Sequence, residues 1–333
     1  MTQPPRRMPD GNSPRFRPPL QSAASRSRRG LDATPHEWLR LATRWMLRMM
    51  PATALLATLH AGSPGEGTAS EKTSAPVDKW QYHLFNPTPR EFMREMSTDR
   101  PDTTESPITV DAGHVQIESS FFDFGRTRQG GVTEAVFTYG AMNLKLGLLN
   151  NVDIQFVSDA YTEVRTKDHA TDSTETVEGF SDLQVRLKIN LWGNDGGRTA
   201  LAFFPFIKIP TGSDLSNDNV EGGLILPFSV ELTERLGLGL MLETDFVYDE
   251  ESRGYEAEFV HTAVLGFSLT EKWGAFVEYA GVTGSAAFDY RATAIGGFTY
   301  AVTDDLQFDV GARVGLNEAA EDFGAFTGMS IRF

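Results

Sequence analysis

Eleven ionisable residues recur on the polar phase of long alternating runs: Glu118, Asp153, Asp182, Arg186, Lys188, Glu243, Asp245, Glu278, Asp309, Arg313 and Arg332. Both signs are present. Such a set could line a hydrated passage and filter solutes by charge, or it could pair across an interior and fill it. Catalysis would ask for something different, a nucleophile and a base converging on one spot. His114, His169 and His261 have no serine at a recognisable spacing; His261 falls on an apolar phase and His169 in an acidic stretch. No metal-ligand spacing, phosphate-cradling glycine loop or nucleophile elbow occurs. The chain has no cysteine, which excludes disulfides and thiolate metal sites. The expectation is therefore no enzyme, no cofactor and no metal, with a hydrolase kept as the minor alternative.

These charges need strands to position them. Twelve runs of strand character follow Gly113, at 113–125, 132–148, 152–165, 178–192, 198–209, 221–232, 236–249, 255–269, 273–283, 288–301, 305–315 and 323–333. Strands of soluble proteins usually have five or six residues, whereas a tilted strand needs about nine to eleven to span a bilayer. In the fourth run Leu183, Val185, Leu187, Ile189 and Leu191 alternate with Asp182, Gln184, Arg186, Lys188 and Asn190. In the eleventh, Leu306, Phe308, Val310, Ala312 and Val314 alternate with Gln307, Asp309, Gly311 and Arg313. This period of two predicts strands with one apolar and one polar face. The apolar faces are too extensive to hide inside one barrel, so they are assigned to lipid. Every second connection is short (149–151, 193–197, 233–235, 270–272, 302–304), and the others are mostly longer and rich in Asp, Asn, Glu and Gly. Trp192, Trp273, Tyr300 and Phe333 lie beside the short turns or the carboxyl end, and Tyr161, Tyr248, Tyr255 and Tyr290 near the long loops. Two aromatic belts and an even strand number are what a membrane with two interfaces selects. The predicted fold is all-β, a transmembrane antiparallel up-and-down β-barrel of about 12 strands.

The amino-terminal part is different. Residues 1–63 carry a net +7 and the remainder a net −22, against −15 for the whole. The acidic body repels nucleic acid, so none is expected as a partner. Residues 1–38 are rich in Pro, Arg and Ser without periodicity and read as disordered. Arg40, Arg44 and Arg48, the apolar run from Met49 to Leu59 and the small residues Ala61-Gly62-Ser63 read as a signal peptide, and its late position suggests a translation start near Met46 or Met49. Residues 64–106 are expected to be a periplasmic linker, and 107–333 the barrel. The linker holds a capping box, Thr88-Pro89-Arg90-Glu91, which predicts one short helix. It is expected to dock on the barrel mouth, with plugging the lumen as the alternative.

Two further expectations rest on single residues. Pro205 and Pro227 fall in adjacent runs and would lie nearly opposite each other; since proline cannot donate to the ladder, the pair could open a gap in the wall, and two tolerated bulges are the simpler reading. The chain ends on Phe333 after the alternating run Phe323–Phe333. That ending matches the signal read by the outer-membrane barrel assembly machinery, an expected partner.

Thr98-Asp99-Arg100-Pro101-Asp102-Thr103-Thr104-Glu105-Ser106-Pro107, with Gly113-His114-Val115-Gln116-Ile117-Glu118, resembles the amino-terminal barrel region of the outer-membrane transporter family named for the meta pathway of phenol degradation. Pro210-Thr211-Gly212, Phe276-Val277-Glu278-Tyr279, Leu306-Gln307-Phe308-Asp309 and Ser330-Ile331-Arg332-Phe333 resemble its later motifs, so the likeness runs from about residue 80 to the end. It implies a barrel in the bacterial outer membrane that passes small, often aromatic or apolar, solutes. The lipid bilayer and a small-molecule solute are then the partners, passive uptake through a polar lumen is the expected role, and a structural, non-conducting barrel is the alternative.

Overall fold

A computed structural model describes residues 78–250, 252–284 and 290–333. The basic extension and signal segment expected within residues 1–63 lie outside the described residues. Thirteen strands follow in chain order: β1 (Val115–Gln129), β2 (Val132–Leu149), β3 (Val152–Asp168), β4 (Ser173–Gly179), β5 (Leu183–Trp192), β6 (Thr199–Ile209), β7 (Glu221–Thr233), β8 (Leu236–Asp249), β9 (Gly254–Ser268), β10 (Trp273–Gly284), β11 (Arg291–Thr303), β12 (Leu306–Gly315) and β13 (Phe323–Arg332). All pairings are antiparallel, and β13 returns to β1 with Gln116 opposite Arg332 and Ser119 opposite Met329, which closes the sheet. The ring has twelve staves, because β4 and β5 share one. Both pair with β3 in a single register, Thr162 opposite Gly179 and Val157 opposite Gln184. The expected run 178–192 is thus the lower half of a stave broken at residues 180–182, and its upper half is an added strand.

Alternation decides which way each residue points. Leu242, Val277 and Val310 are 63%, 53% and 53% exposed, whereas their chain neighbours Met241, Glu278 and Asp309 are 2%, 5% and 3% exposed. A water-soluble barrel would show the reverse; here the apolar face looks outward to lipid and the polar face inward. No helix among the described residues is long and apolar enough to cross a membrane, so the crossing is made by strands, which satisfy their backbone groups in the closed ladder. Trp273 packs on Tyr300 at 4.8 Å at the short-turn end, and Tyr248 on Tyr255 at 5.5 Å at the long-loop end. One connection on the long-loop side is tight. Gly130 and Gly131, at φ 58° and 84°, make the two-residue turn between β1 and β2 that needs positive φ at both centres. Chain length went into the strands instead, 18 residues in β2 and 17 in β3.

The two prolines do not face each other. Pro205 lies opposite Leu224 and Pro227 opposite Met241. Buried Phe204 points inward, so Pro205 points to lipid, whereas Pro227 shares the inward side of Met241. The ladder lapses for two residues beside each proline, because each lacks an N–H, yet the register is unchanged on either side of each lapse. The register thus sets Pro205 and Pro227 three residues out of opposition, each beside its own lapse in the ladder.

Candidate solute pathway

Every residue expected to line the lumen points into it, and most of them meet a chain segment there. The capping box does not make the expected helix. Thr88 is buried, its N–H bonded to Ala112 O at 2.9 Å and its carbonyl to His114 Nε2 at 2.7 Å, so it cannot turn back to cap; only a three-residue 3-10 turn forms, Arg90–Phe92. From Arg94 to Asp111 the chain threads the barrel interior. The turn Arg90–Phe92 itself sits at the short-turn mouth, Arg90 paired with Asp305 at 2.9 Å, and it is the following residues, 94–111, that plug the lumen, where their charges and peptide N–H groups match the wall charges.

The plug is held by polar groups on many staves. At its centre Asp99 takes Lys188 Nζ at 2.7 and 3.0 Å and also pairs with Lys145, which itself pairs with Glu118. The Asp99 and Arg100 N–H groups donate to Glu118 at 3.0–3.1 Å. Arg100 grips Asp309 with two prongs, Nε at 3.1 Å and Nη2 at 2.7 Å, and reaches Ser120 at 2.5 Å. Across the lumen the Thr103 and Thr104 N–H groups each donate to Glu278 at 2.8 Å, and the Thr104 hydroxyl contacts Thr262 Oγ1 at 2.6 Å. Glu105 meets Arg186 at 2.6 Å, and its N–H reaches the Met241 sulfur at 3.4 Å. Val110 N–H donates to Asp153 at 3.0 Å, Asn190 to Pro107 O at 2.8 Å, and Arg332 to Arg94 O at 2.8 Å. Burial alone would lift the Asp99 carboxyl, but the two ammonium groups hold it well below the usual carboxylate range. Burial, with the Asp99 charge adding to it, pushes Glu105 up to about 7 in spite of Arg186.

Glu118, Asp153, Arg186, Lys188, Glu278, Asp309 and Arg332 thus seat the plug. The other four stand elsewhere. Arg313 is tied to Asp123 and Glu321, both at 2.6 Å. Asp182 pairs with Lys208 at 3.2 Å. Glu243 and Asp245 line a cavity of about 420 Å³ on the long-loop side of the plug, together with Arg186, Lys208, Glu258 and Arg291. A second cavity of about 500 Å³ lies on the short-turn side, lined by Arg94, Asp305 and Arg332 among others. Sequence reasoning missed Lys145, which sits on the inward phase of β2 and was legible there. It also missed the plug ligands Asp99, Arg100, Thr104 and Glu105, whose only signal was a run of charged and small residues around prolines.

The lumen is not polar throughout. Phe204, Ile225 and Met241 form one buried inward cluster flanked by Phe206 and Val260, and Val264, Phe276, Ala280, Ile295 and Phe326 form another. Lys188 Nζ stands 4.8 Å from the Phe204 ring and Arg313 5.9 Å from Phe326, in the range of cation–π contacts.

Comparison with known structures places the architecture. An outer-membrane channel from Pseudomonas putida F1 is similar over 71% of this chain and all of its own, at 13% identity and a TM-score of 0.51. The NanC porin is similar over 65% of this chain and 98% of its own, at 9% identity and a TM-score of 0.42. The transport unit of the autotransporter AIDA-I from Escherichia coli covers 72% and 92%, at 8% identity and a TM-score of 0.44. At 13% identity the likeness to the Pseudomonas putida channel is one of fold, that of an outer-membrane β-barrel. No curated protein matches the sequence. The family model described as "Putative MetA-pathway of phenol degradation" matches residues 98–333, from the start of the plug's central turn to the closing strand, and the chain belongs to that family.

Proposed function

We propose that the protein is a passive outer-membrane channel for small solutes with apolar or aromatic parts, and that the plug of residues 94–111 shifts to let them through. One observation carries this reading. Two cavities, of about 420 and 500 Å³, lie on opposite sides of a plug held to the wall mainly by hydrogen bonds and ion pairs. A polar seat exchanges its bonds for water at small net cost, on the order of 1 kcal/mol each, so it can open where an apolar seat would not. Inward apolar side chains beside the charges, Phe204, Phe206, Phe276 and Phe326, offer a partly greasy track for such solutes. No nucleotide-binding motif is present to drive transport, and the solute's own gradient suffices.

Planar-bilayer conductance and liposome swelling, with and without aromatic carboxylic acids, test the proposal on the natural chain and on Asp99→Asn. The expected result is intermittent conductance in the natural chain and more in the variant. Absence of conductance and swelling in both would overturn it, in favour of a non-conducting structural barrel. Hydrolysis of lipid or peptide by the same preparations would point to an enzyme instead.

A further inference from the structure

The outer wall carries a second feature, unrelated to the lumen. On the lipid side of the ribbon formed by β1, β2 and β3, an aromatic band made of Phe122, Phe124, Phe137, Tyr139 and Tyr161 is packed ring to ring, with Phe124 5.1 Å from Phe137 and Tyr139 6.1 Å from Tyr161. Immediately beyond it toward the long-loop end stand four cations on the same face. Arg126 pairs across Ala135 with Arg165, and Arg128 across Thr133 with Lys167. Two strand spacings and one two-residue step put their Cα atoms at the corners of a rectangle roughly 10 by 7 Å. Its floor is short, Ala135 and Thr133, and the Thr133 hydroxyl is held by His169 Nε2 at 2.8 Å.

The facing is fixed by the intervening residues. Thr162 and Val164 are buried and point inward, which turns Tyr161 and Arg165 outward. Arg165 and Lys167 side chains are 56% and 46% exposed. Arg165 is braced by the Phe137 ring at 5.1 Å and by Glu163, and Lys167 meets Asp172 at 3.1 Å. Among the described residues, Arg126 and Arg128 have no ion-pair partner. The charge is local to this ribbon: at the long-loop end of β8 and β9 the outward positions hold Phe246, Tyr248, Tyr255 and Phe259 instead.

Height selects the partner. From Leu149 at the short-turn end to Tyr139 the outward face of β2 runs ten residues, ~25 Å across the bilayer at the tilt usual for such barrels. The four cations begin one two-residue step beyond Phe124 and Phe137, ~5 Å further along the bilayer normal, where headgroups rather than acyl chains lie. Guanidinium groups bind phosphate oxygens in a forked geometry.

We infer that the outer face of β1–β3 binds the phosphate-bearing headgroup of an outer-leaflet lipid, with Arg126, Arg128, Arg165 and Lys167 as its ligands and the aromatic band against its chains. The test uses the full barrel in detergent and counts bound lipid by native mass spectrometry, with diphosphoryl lipid A as probe and its dephosphorylated form as control. The natural protein is expected to retain the diphosphoryl form at least tenfold better than the control. The quadruple variant Arg126→Gln, Arg128→Gln, Arg165→Gln, Lys167→Gln is expected to lose that preference, and changing all three arginines to Lys to keep part of it. Heat-modifiable mobility on gels reports that each variant is folded. Equal retention by the quadruple variant would overturn the inference. So would competition by inorganic phosphate at the lipid's own concentration, which would reduce the patch to a free-anion site, or capture of a lipid-free acidic polysaccharide with no retention of lipid.

Discussion

Replacing Asp99 by Asn should unlock the plug. The carboxylate stands between Lys145 and Lys188, and the three side chains are 5%, 2% and 1% exposed, so solvent screening is weak. Removing one partner of a buried pair costs ~3–5 kcal/mol, mostly because the remaining charge is stranded. Here Lys145 keeps Glu118, and Lys188 keeps the Phe204 ring, so the lower end applies, about 3 kcal/mol. The wall lysines regain water when the plug leaves, which directs that cost onto the seated state. It amounts to roughly a hundredfold shift toward the open form. Single-channel recording in planar bilayers reads the shift as open probability, and Asn is close enough in size to leave the turn's packing intact. Lys188→Met should act in the same direction, because it strands Asp99 in part. Open probabilities for Asp99→Asn and Lys188→Met that match the natural chain, in barrels shown to be folded, would refute the lock.

Other outcomes follow from the same geometry. Glu105 titrates near 7 when seated and near the ordinary 4.5 when released, so its proton favours the seated plug; that advantage fades as pH rises from about 4.5 to 7. Asp99 works the other way, its contribution complete above the usual carboxylate range and lost only in strong acid. Conductance should therefore climb at least tenfold from pH 5 to pH 8, and Glu105→Gln should flatten the rise; a flat profile in the natural chain would contradict the assignment. The Thr104 and Thr262 hydroxyl oxygens lie 2.6 Å apart, and the chain has no cysteine, so Thr104→Cys with Thr262→Cys should give a channel closed by oxidation and reopened by reductant. Deleting Phe333 should impair assembly into the outer membrane, measured as the folded fraction in membranes, with lumen properties retained by whatever barrel forms.

How much of this could be read from the residues differs by level. The wall was legible because alternation is local: Leu183 to Leu191 and Leu306 to Val314 state their faces without reference to a partner. The inward direction of Glu118, Asp309 and Arg332 followed from the same rule. What it could not state is occupancy of the interior. Glu278 and Asp309 look alike whether they meet water, a cation across the lumen or a peptide N–H from residue 103, since those partners are 175 and 209 positions away from their plug contacts. The capping box at Thr88 failed for a related reason. Its side-chain pattern is helical, but tertiary bonds to Ala112 and His114 claimed the backbone first. Pro205 and Pro227 were misread because cross-strand register needs the loop geometry of residues 210–220, and a three-residue error changes both the opposite partner and the face.

The plug's composition argues for its role. A permanent filling would be cheaper to build from apolar groups, since replacing buried ion pairs by hydrophobic residues of similar volume is often neutral or stabilising by 1–4 kcal/mol. Instead the wall offers Glu118, Glu278 and Asp309 to peptide N–H groups and one guanidinium, and Lys145 and Lys188 to one carboxylate. Each of those groups is stable in water as well, so the empty lumen is not penalised by exposed greasy surface along this ring. The inward phenylalanines lie beside those charges on β6, β10 and β13, Phe204 within 4.8 Å of Lys188, where a departing plug would leave a track for an apolar solute beside a hydrated one. The arrangement is therefore bistable through the exchange of polar contacts for water. Substituting both wall lysines by methionine along with Asp99 by leucine should remove that property, giving a plug that stays seated and a conductance lower than that of the natural chain; a variant of this kind that conducts more would show that the seat's polarity is not what makes it releasable.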